Sequence, residues 1–191
     1  MLVWDKPAGT DPYSGGQLTT LYACRRPAGV SVRIGQNATD GGEYVGNVAT
    51  SDLRITGTLV SDVFTSGLAS QQACYKSEDA SDAQCATAAT ETARVFNLTT
   101  RRSLRQTLAG AAVAYAFSPA GAIAWEAPTS PGTTGSPLML QAVGFNPSGL
   151  KKGLIETLDT GALGSSLQFA GLTLRWTNAG QSKSVVVSNA G

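Results

Sequence analysis

The chain has 191 residues, of which 42% are hydrophobic, so it can form one domain with its own core and is not expected to be disordered. Only 14% are charged and the formal net charge is +1, which gives no electrostatic reason to expect binding to nucleic acid or to an acidic membrane. No apolar run reaches the roughly 18 residues that a membrane-spanning helix needs.

The N-terminal segment is predicted to be an extended arm over residues 1–16, followed by a single β-rich domain over residues 17–191. Pro7, Pro12 and the pair Gly15-Gly16 suit neither a helix nor a central strand. The arm nevertheless carries apolar side chains, whose exposure to water is unfavourable. We therefore predict that it contacts another subunit through Leu2, Val3, Trp4 and Tyr13.

The first half of the domain alternates apolar and polar residues, a pattern typical of half-buried strands. It predicts strands at 18–23, 30–34, 43–45 and 52–60. In the last of these, Leu53, Ile55 and Leu59 are expected to share one face, with Gly57 between them.

Three cysteines are present, and an odd number argues against a full disulfide framework. Cys74 and Cys85 bracket a polar stretch, and a disulfide between them would contribute about 3 kcal/mol by restricting the unfolded chain in an oxidising compartment. The alternative is that both, together with Cys24, stay reduced and pack as small apolar groups. Both states are consistent with the sequence.

One amphipathic helix is predicted at 101–109. Thr99 or Thr100 can cap its first turn, and Gly110 suits its C-terminal end. Leu104 and Leu108 lie four residues apart and would form its apolar face.

Two hairpins follow. The first pairs Val113, Tyr115 and Phe117 with Ile123 and Trp125 around a Pro-Gly turn, and it is predicted to carry much of the core. Residues 138–143 form another strand. The last hairpin pairs residues 172–176 with 185–187. The predicted fold is mainly β, an antiparallel sandwich or barrel with one or two short helices.

The sequence lacks the residues on which common catalytic sites depend. Without histidine there is no Ser-His-Asp triad, no Cys-His pair and no His-bearing metal site. No Cys-x-x-Cys pair occurs, and the dinucleotide and phosphate-loop glycine motifs are absent. We therefore expect no enzymatic activity, no cofactor and no bound metal.

One short motif bears on catalysis. Asp159-Thr160-Gly161-Ala162 resembles the signature of retroviral-type aspartic proteases, in which two aspartates share a proton. The chain has no second Asp-Thr-Gly or Asp-Ser-Gly, and few residues follow Asp159. We interpret the motif as a turn that Asp159 caps.

The expected function is that of a structural subunit of a self-assembling particle, such as a virion coat, tail or decoration protein. Low charge and many small polar residues are typical of surfaces that neighbouring subunits cover. The expected partners are copies of itself or other structural subunits, in a virion or an extracellular assembly. Residues 1–7 lack the features of a signal peptide. The sequence is consistent both with a complete chain and with a piece of a longer protein. The alternative is a secreted or surface β-sandwich module, adhesin-like or pilin-like, that recognises a glycan or a protein.

Overall fold

The fold is mainly β and its sheets are antiparallel. The computed structural model describes residues 2–12, 15–24, 29, 31–39, 48–77, 81, 84–85, 88–108, 112–133, 135–146, 151–161 and 163–187. Sixteen strands and one helix of eight residues lie within these ranges. The predicted fold class is therefore confirmed.

The N-terminal half forms two meander sheets. Sheet 1 consists of β1 (Leu2–Thr10), β2 (Gln17–Cys24) and β3 (Ser31–Ala38). Sheet 2 consists of β4 (Val48–Thr56), β5 (Leu59–Ser66), β6 (Thr90–Asn97) and β7 (Arg102–Thr107). The helix α1 (Leu68–Tyr75) lies in the connection between β5 and β6.

The C-terminal half forms two more sheets and a short ribbon. Sheet 3 consists of β8 (Ala114–Phe117), β9 (Ile123–Pro128), β10 (Leu138–Val143) and β13 (Glu156–Gly161). The ribbon is β11 (Phe145–Asn146) with β12 (Lys151–Lys152). Sheet 4 consists of β14 (Leu163–Ala170), β15 (Thr173–Asn178) and β16 (Gln181–Val186).

The four sheets pack face to face in chain order, with one apolar cluster at each junction. Ala23 and Ile34 of sheet 1 pack with Val60 and Phe96 of sheet 2. The other two clusters join sheet 2 to sheet 3 and sheet 3 to sheet 4. Sheets 2 and 3 are thus covered on both faces, whereas the described residues cover sheets 1 and 4 on one face only, and the other face of each is called its outer face.

Sheet 3 separates large from small residues because successive side chains of a strand point to opposite faces. Phe117, Ile123 and Trp125 face sheet 2, and the intervening Ala116 and Ala124 face sheet 4. The alanines leave room for Leu174 and Trp176 of sheet 4, which are both buried. The predicted hairpin is therefore the centre of the core, except that Val113 precedes β8 and is 56% exposed.

The segment predicted as an extended N-terminal arm forms a strand over residues 2–10. Leu2–Thr10 is an edge strand that pairs antiparallel with β2, so the segment belongs to the domain. The strand tolerates Pro7 because an edge strand bonds on one side only, and its register shifts between Pro7 and Gly9.

Two local predictions of secondary structure are wrong. Residues 102–107 form β7 instead of a helix, because pairing with β6 satisfies their backbone groups. The single strand predicted at 52–60 is divided between β4 and β5 by a turn at Gly57, whose φ is 58°. Leu53 and Ile55 are accordingly exposed. The predicted strand at 43–45 lies outside the described residues.

Candidate functional site

The outer face of sheet 1 carries the largest apolar side chains that this sheet does not bury. Val3, Ala23 and Val32 point towards sheet 2, so alternation places Leu2, Trp4 and Tyr22 on the opposite face. Leu2 is 43% exposed, and the rings of Trp4 and Tyr22 are half-buried and stacked, with centroids 5.8 Å apart and planes 19° apart. We call Leu2, Trp4 and Tyr22 the aromatic face.

Positive charge borders the aromatic face. Lys6 Nζ lies 6.0 Å from the centroid of the Tyr22 ring, at the outer limit of a cation–π contact. Arg33 is paired with Tyr22 in the register of β2 and β3, and its side chain is exposed.

Sheet 4 presents a different outer face at the other end of the stack. Arg175 and Thr177 point outwards, as do Ser182 and Ser184, because the alternate Leu174 and Trp176 are buried against sheet 3. This face is mainly polar, and it also exposes the apolar side chain of Val186.

The predicted contact residues do not all lie on the same face of sheet 1. Leu2 and Trp4 lie on the outer face of sheet 1, and Val3 packs inwards against the cluster between sheets 1 and 2. Tyr13 lies outside the described residues. Tyr22 joins the site from β2, and its place could not be known before the pairing of β1 with β2 was established.

A cleft of about 230 Å³ opens between sheets 1 and 2. Arg94, which lines the cleft, forms an ion pair with the buried Asp62 that sequence reasoning missed. Arg94 donates from Nε to Asp62 Oδ1 at 2.7 Å and from Nη2 to Asp62 Oδ2 at 2.8 Å. Burial raises the pKa of Asp62 to about 6, against the opposing effects of Arg94 and Arg105. The two short hydrogen bonds from Arg94 favour the ionised form of Asp62 against this effect of burial.

Asp159 is engaged in structural bonds and does not cap a turn, because it lies within β13. Its Oδ2 accepts hydrogen bonds from Trp176 Nε1 at 2.7 Å and from Lys183 Nζ at 2.9 Å. Burial raises its pKa, but the hydrogen bonds from Trp176, Lys183, Asn178 and Thr160 outweigh that effect and hold the pKa below its ordinary value. A carboxylate held ionised in this way is unsuited to share a proton with a second aspartate.

Cys74 and Cys85 are joined by a disulfide, with an S–S distance of 1.98 Å. It links α1 to the segment that precedes β6. The third cysteine, Cys24, is free and buried.

Within the described part of the chain, no group of three or more His, Cys, Asp or Glu residues is arranged to hold a metal ion. None of the helices described there has both the length and the hydropathy to cross a membrane.

Comparison with known proteins gives little further information. No family model and no curated protein matches the chain. Among solved structures, it is similar to the β-propeller domain of the Trilobed protease from Pyrococcus furiosus, described as having an open velcro topology. The identity is 16%, the TM-score is 0.42, and the match covers 70% of this chain and 34% of the other. The chain thus spans about a third of that protein's length, and a score this low supports no conclusion about function.

Proposed function

We propose that the protein is a non-enzymatic structural subunit that self-associates through the aromatic face of sheet 1. The supporting observation is the contrast between the two ends of the stack. The outer face of sheet 4 is mainly polar apart from Val186, whereas Leu2, Trp4 and Tyr22 lie together on the outer face of sheet 1. The assembly would be a particle of the coat, tail or decoration type, in a virion or an extracellular structure.

The proposed occupant of this face is sheet 1 of a second copy. Sheets 2 and 3 show that meander sheets of this chain are covered by other sheets of the same kind. A two-fold contact brings the same patch of both subunits together, so that Leu2 and Trp4 meet apolar side chains. The bordering Lys6 and Arg33 would stay at the rim, where water still screens them.

The size of the face limits the strength of the contact. Three strands of about eight residues cover roughly 14 by 26 Å, or on the order of 400 Å² per partner. Stable interfaces bury about 800 Å² per partner. We therefore expect weak, reversible and concentration-dependent association, which a particle strengthens by using several contacts at once.

A glycan-binding module is the second candidate, because aromatic rings beside Lys6 and Arg33 offer both stacking and polar contacts. The ring geometry favours packing instead. Trp4 and Tyr22 stack on each other, which hides one face of each ring from a sugar.

Sedimentation velocity over a range of concentrations tests the proposal. Replacing Leu2 and Trp4 with Ser should weaken the association of the wild-type chain at least tenfold. The matched control is Val186→Ser, which removes a 63% exposed apolar side chain from sheet 4 and should leave association unchanged. A wild-type chain that stays monomeric at several hundred micromolar, or an equal effect of Val186→Ser, would refute the proposal. A monomer that binds glycans in an array would support the second candidate.

A further inference from the structure

A row of three charged residues crosses sheet 2 at the cleft. Asp62 on β5 is paired with Arg94 on β6, and Arg94 is paired with Arg105 on β7. Residues paired in this way point to the same face of a sheet. That face is turned towards sheet 1, because Val60 and Phe96 on the same face pack in the cluster between sheets 1 and 2.

The guanidinium group of Arg94 lies beside two aromatic rings, and only some of its N–H donors are paired with Asp62. Its Cζ lies 4.4 Å from the ring centroid of Phe64 and 5.4 Å from that of Phe96, and its side chain is 9% exposed. A guanidinium has five N–H donors, and Asp62 accepts two of them. The other three have no acceptor among the residues that the structure describes. Arg94 is not among the residues whose side-chain atoms are fully buried without a partner, so these donors are open to the cleft, where an anion can accept them.

The cleft also has excess positive charge. Arg105 lines it with Arg94 and does not pair with a carboxylate of the described residues. Arg94 and Arg105 are cross-strand neighbours of like charge, an arrangement that destabilises a sheet unless an anion offsets it. Arg94 and Arg105 against Asp62 leave one uncompensated positive charge, which a bound anion would offset.

The backbone keeps the cleft open beside Arg94. Gly35 lies on β3, and a Cβ at this position would come within 3.2 Å of Arg94 Nη2 and would collide with Thr50 Oγ1. Because glycine has no side chain, β3 approaches sheet 2 closely without covering the guanidinium. Gln36, the next residue on β3, also lines the cleft.

We propose that this cleft binds a tetrahedral oxyanion group, such as sulfate or phosphate, with Arg94 as its fixed donor and Arg105 as its charged rim. A volume of about 230 Å³ is too small for most organic ligands and suits one such group. Arginine is suited to this task because its planar fork donates two parallel hydrogen bonds to one anion. The site lies between sheets 1 and 2 and does not depend on self-association through the aromatic face.

The test is calorimetric titration of the full chain with sodium sulfate and with sodium phosphate, at an ionic strength held constant with sodium chloride. Arg105→Gln should weaken binding at least fivefold. Arg102→Gln is the matched control, because it removes the same charge from the opposite face of β7. It should leave binding unchanged.

Three results would overturn the proposal. The first is no binding of either anion by the wild-type chain at millimolar concentration. The second is an equal loss of affinity in the Arg102→Gln control, which would show attraction to surface charge only. The third is equal affinity for acetate, which would show that the cleft does not select a tetrahedral dianion. Unchanged circular dichroism of each variant would show that the fold is intact.

Discussion

The indole Nε1 of Trp176 donates a hydrogen bond to Oδ2 of Asp159 across 2.7 Å, and this bond joins sheet 4 to the edge strand of sheet 3. Lys183 Nζ donates to the same oxygen from β16. One carboxylate therefore receives bonds from two neighbouring strands of sheet 4. This role accounts for Asp159 without any catalysis.

Asp159→Asn is expected to lower the free energy of unfolding by about 1–3 kcal/mol at neutral pH, because charge-assisted hydrogen bonds are lost. The folded-state pKa is depressed, so the stabilisation is present above the ordinary value of 3.8 and is lost as pH falls through the folded value. The difference from wild type, measured by urea unfolding, should therefore shrink in acid. Peptide cleavage at acidic pH that disappears in this variant would contradict the non-enzymatic proposal.

Phe117→Ala is expected to lower the free energy of unfolding by about 3–5 kcal/mol, because the ring lies in the core between sheets 2 and 3. Val113→Ala is the matched control in the same segment. Val113 is 56% exposed, so its truncation should change stability by less than about 0.5 kcal/mol. Similar losses in the two variants would mean that the hairpin is not packed as described.

Strands were predictable where the apolar residues fit the two-residue repeat of a strand and not the spacing of a helix. The strand Leu138–Val143 and the last hairpin are confirmed. Leu104 and Leu108 show why the helix prediction failed. Residues four apart share a face both in a helix and in a strand, and both leucines do pack together in the core between sheets 2 and 3. Only the backbone pairing of β7 with β6 decides between the two.

The candidate sites were predictable only in part, for a related reason. Leu2 and Trp4 were identified because apolar residues beside Pro and Gly are conspicuous in a sequence. The pair of Asp62 and Arg94 was not identified, because the two residues are 32 positions apart and meet only through the register of β5 and β6. Tertiary pairing of this kind leaves no local pattern.

Replacing both Cys74 and Cys85 with Ser is expected to lower the free energy of unfolding by about 3 kcal/mol. The two cysteines are 11 positions apart, and closing a loop of that length removes freedom from the unfolded chain. Guanidinium unfolding with and without a reducing agent measures the effect. The double variant should be insensitive to the reductant, and a wild-type chain that is equally insensitive would contradict the prediction.

Glu126 is fully buried in sheet 3, where it is paired with Leu140 of β10. Neither carboxyl oxygen has a hydrogen-bond partner among the described residues. Burial raises the pKa above its ordinary value of 4.5. The carboxyl group therefore favours folding most when it is protonated. The free energy of unfolding falls as pH rises from the ordinary pKa of 4.5 through the folded-state pKa.

Glu126→Gln removes the titrating group, so this variant should resemble wild type near pH 4. As pH rises it should become more stable than wild type, by about 1–3 kcal/mol in the free energy of unfolding. Urea unfolding at several pH values measures this difference, and a difference that does not change with pH would show that the carboxyl group reaches water or a partner.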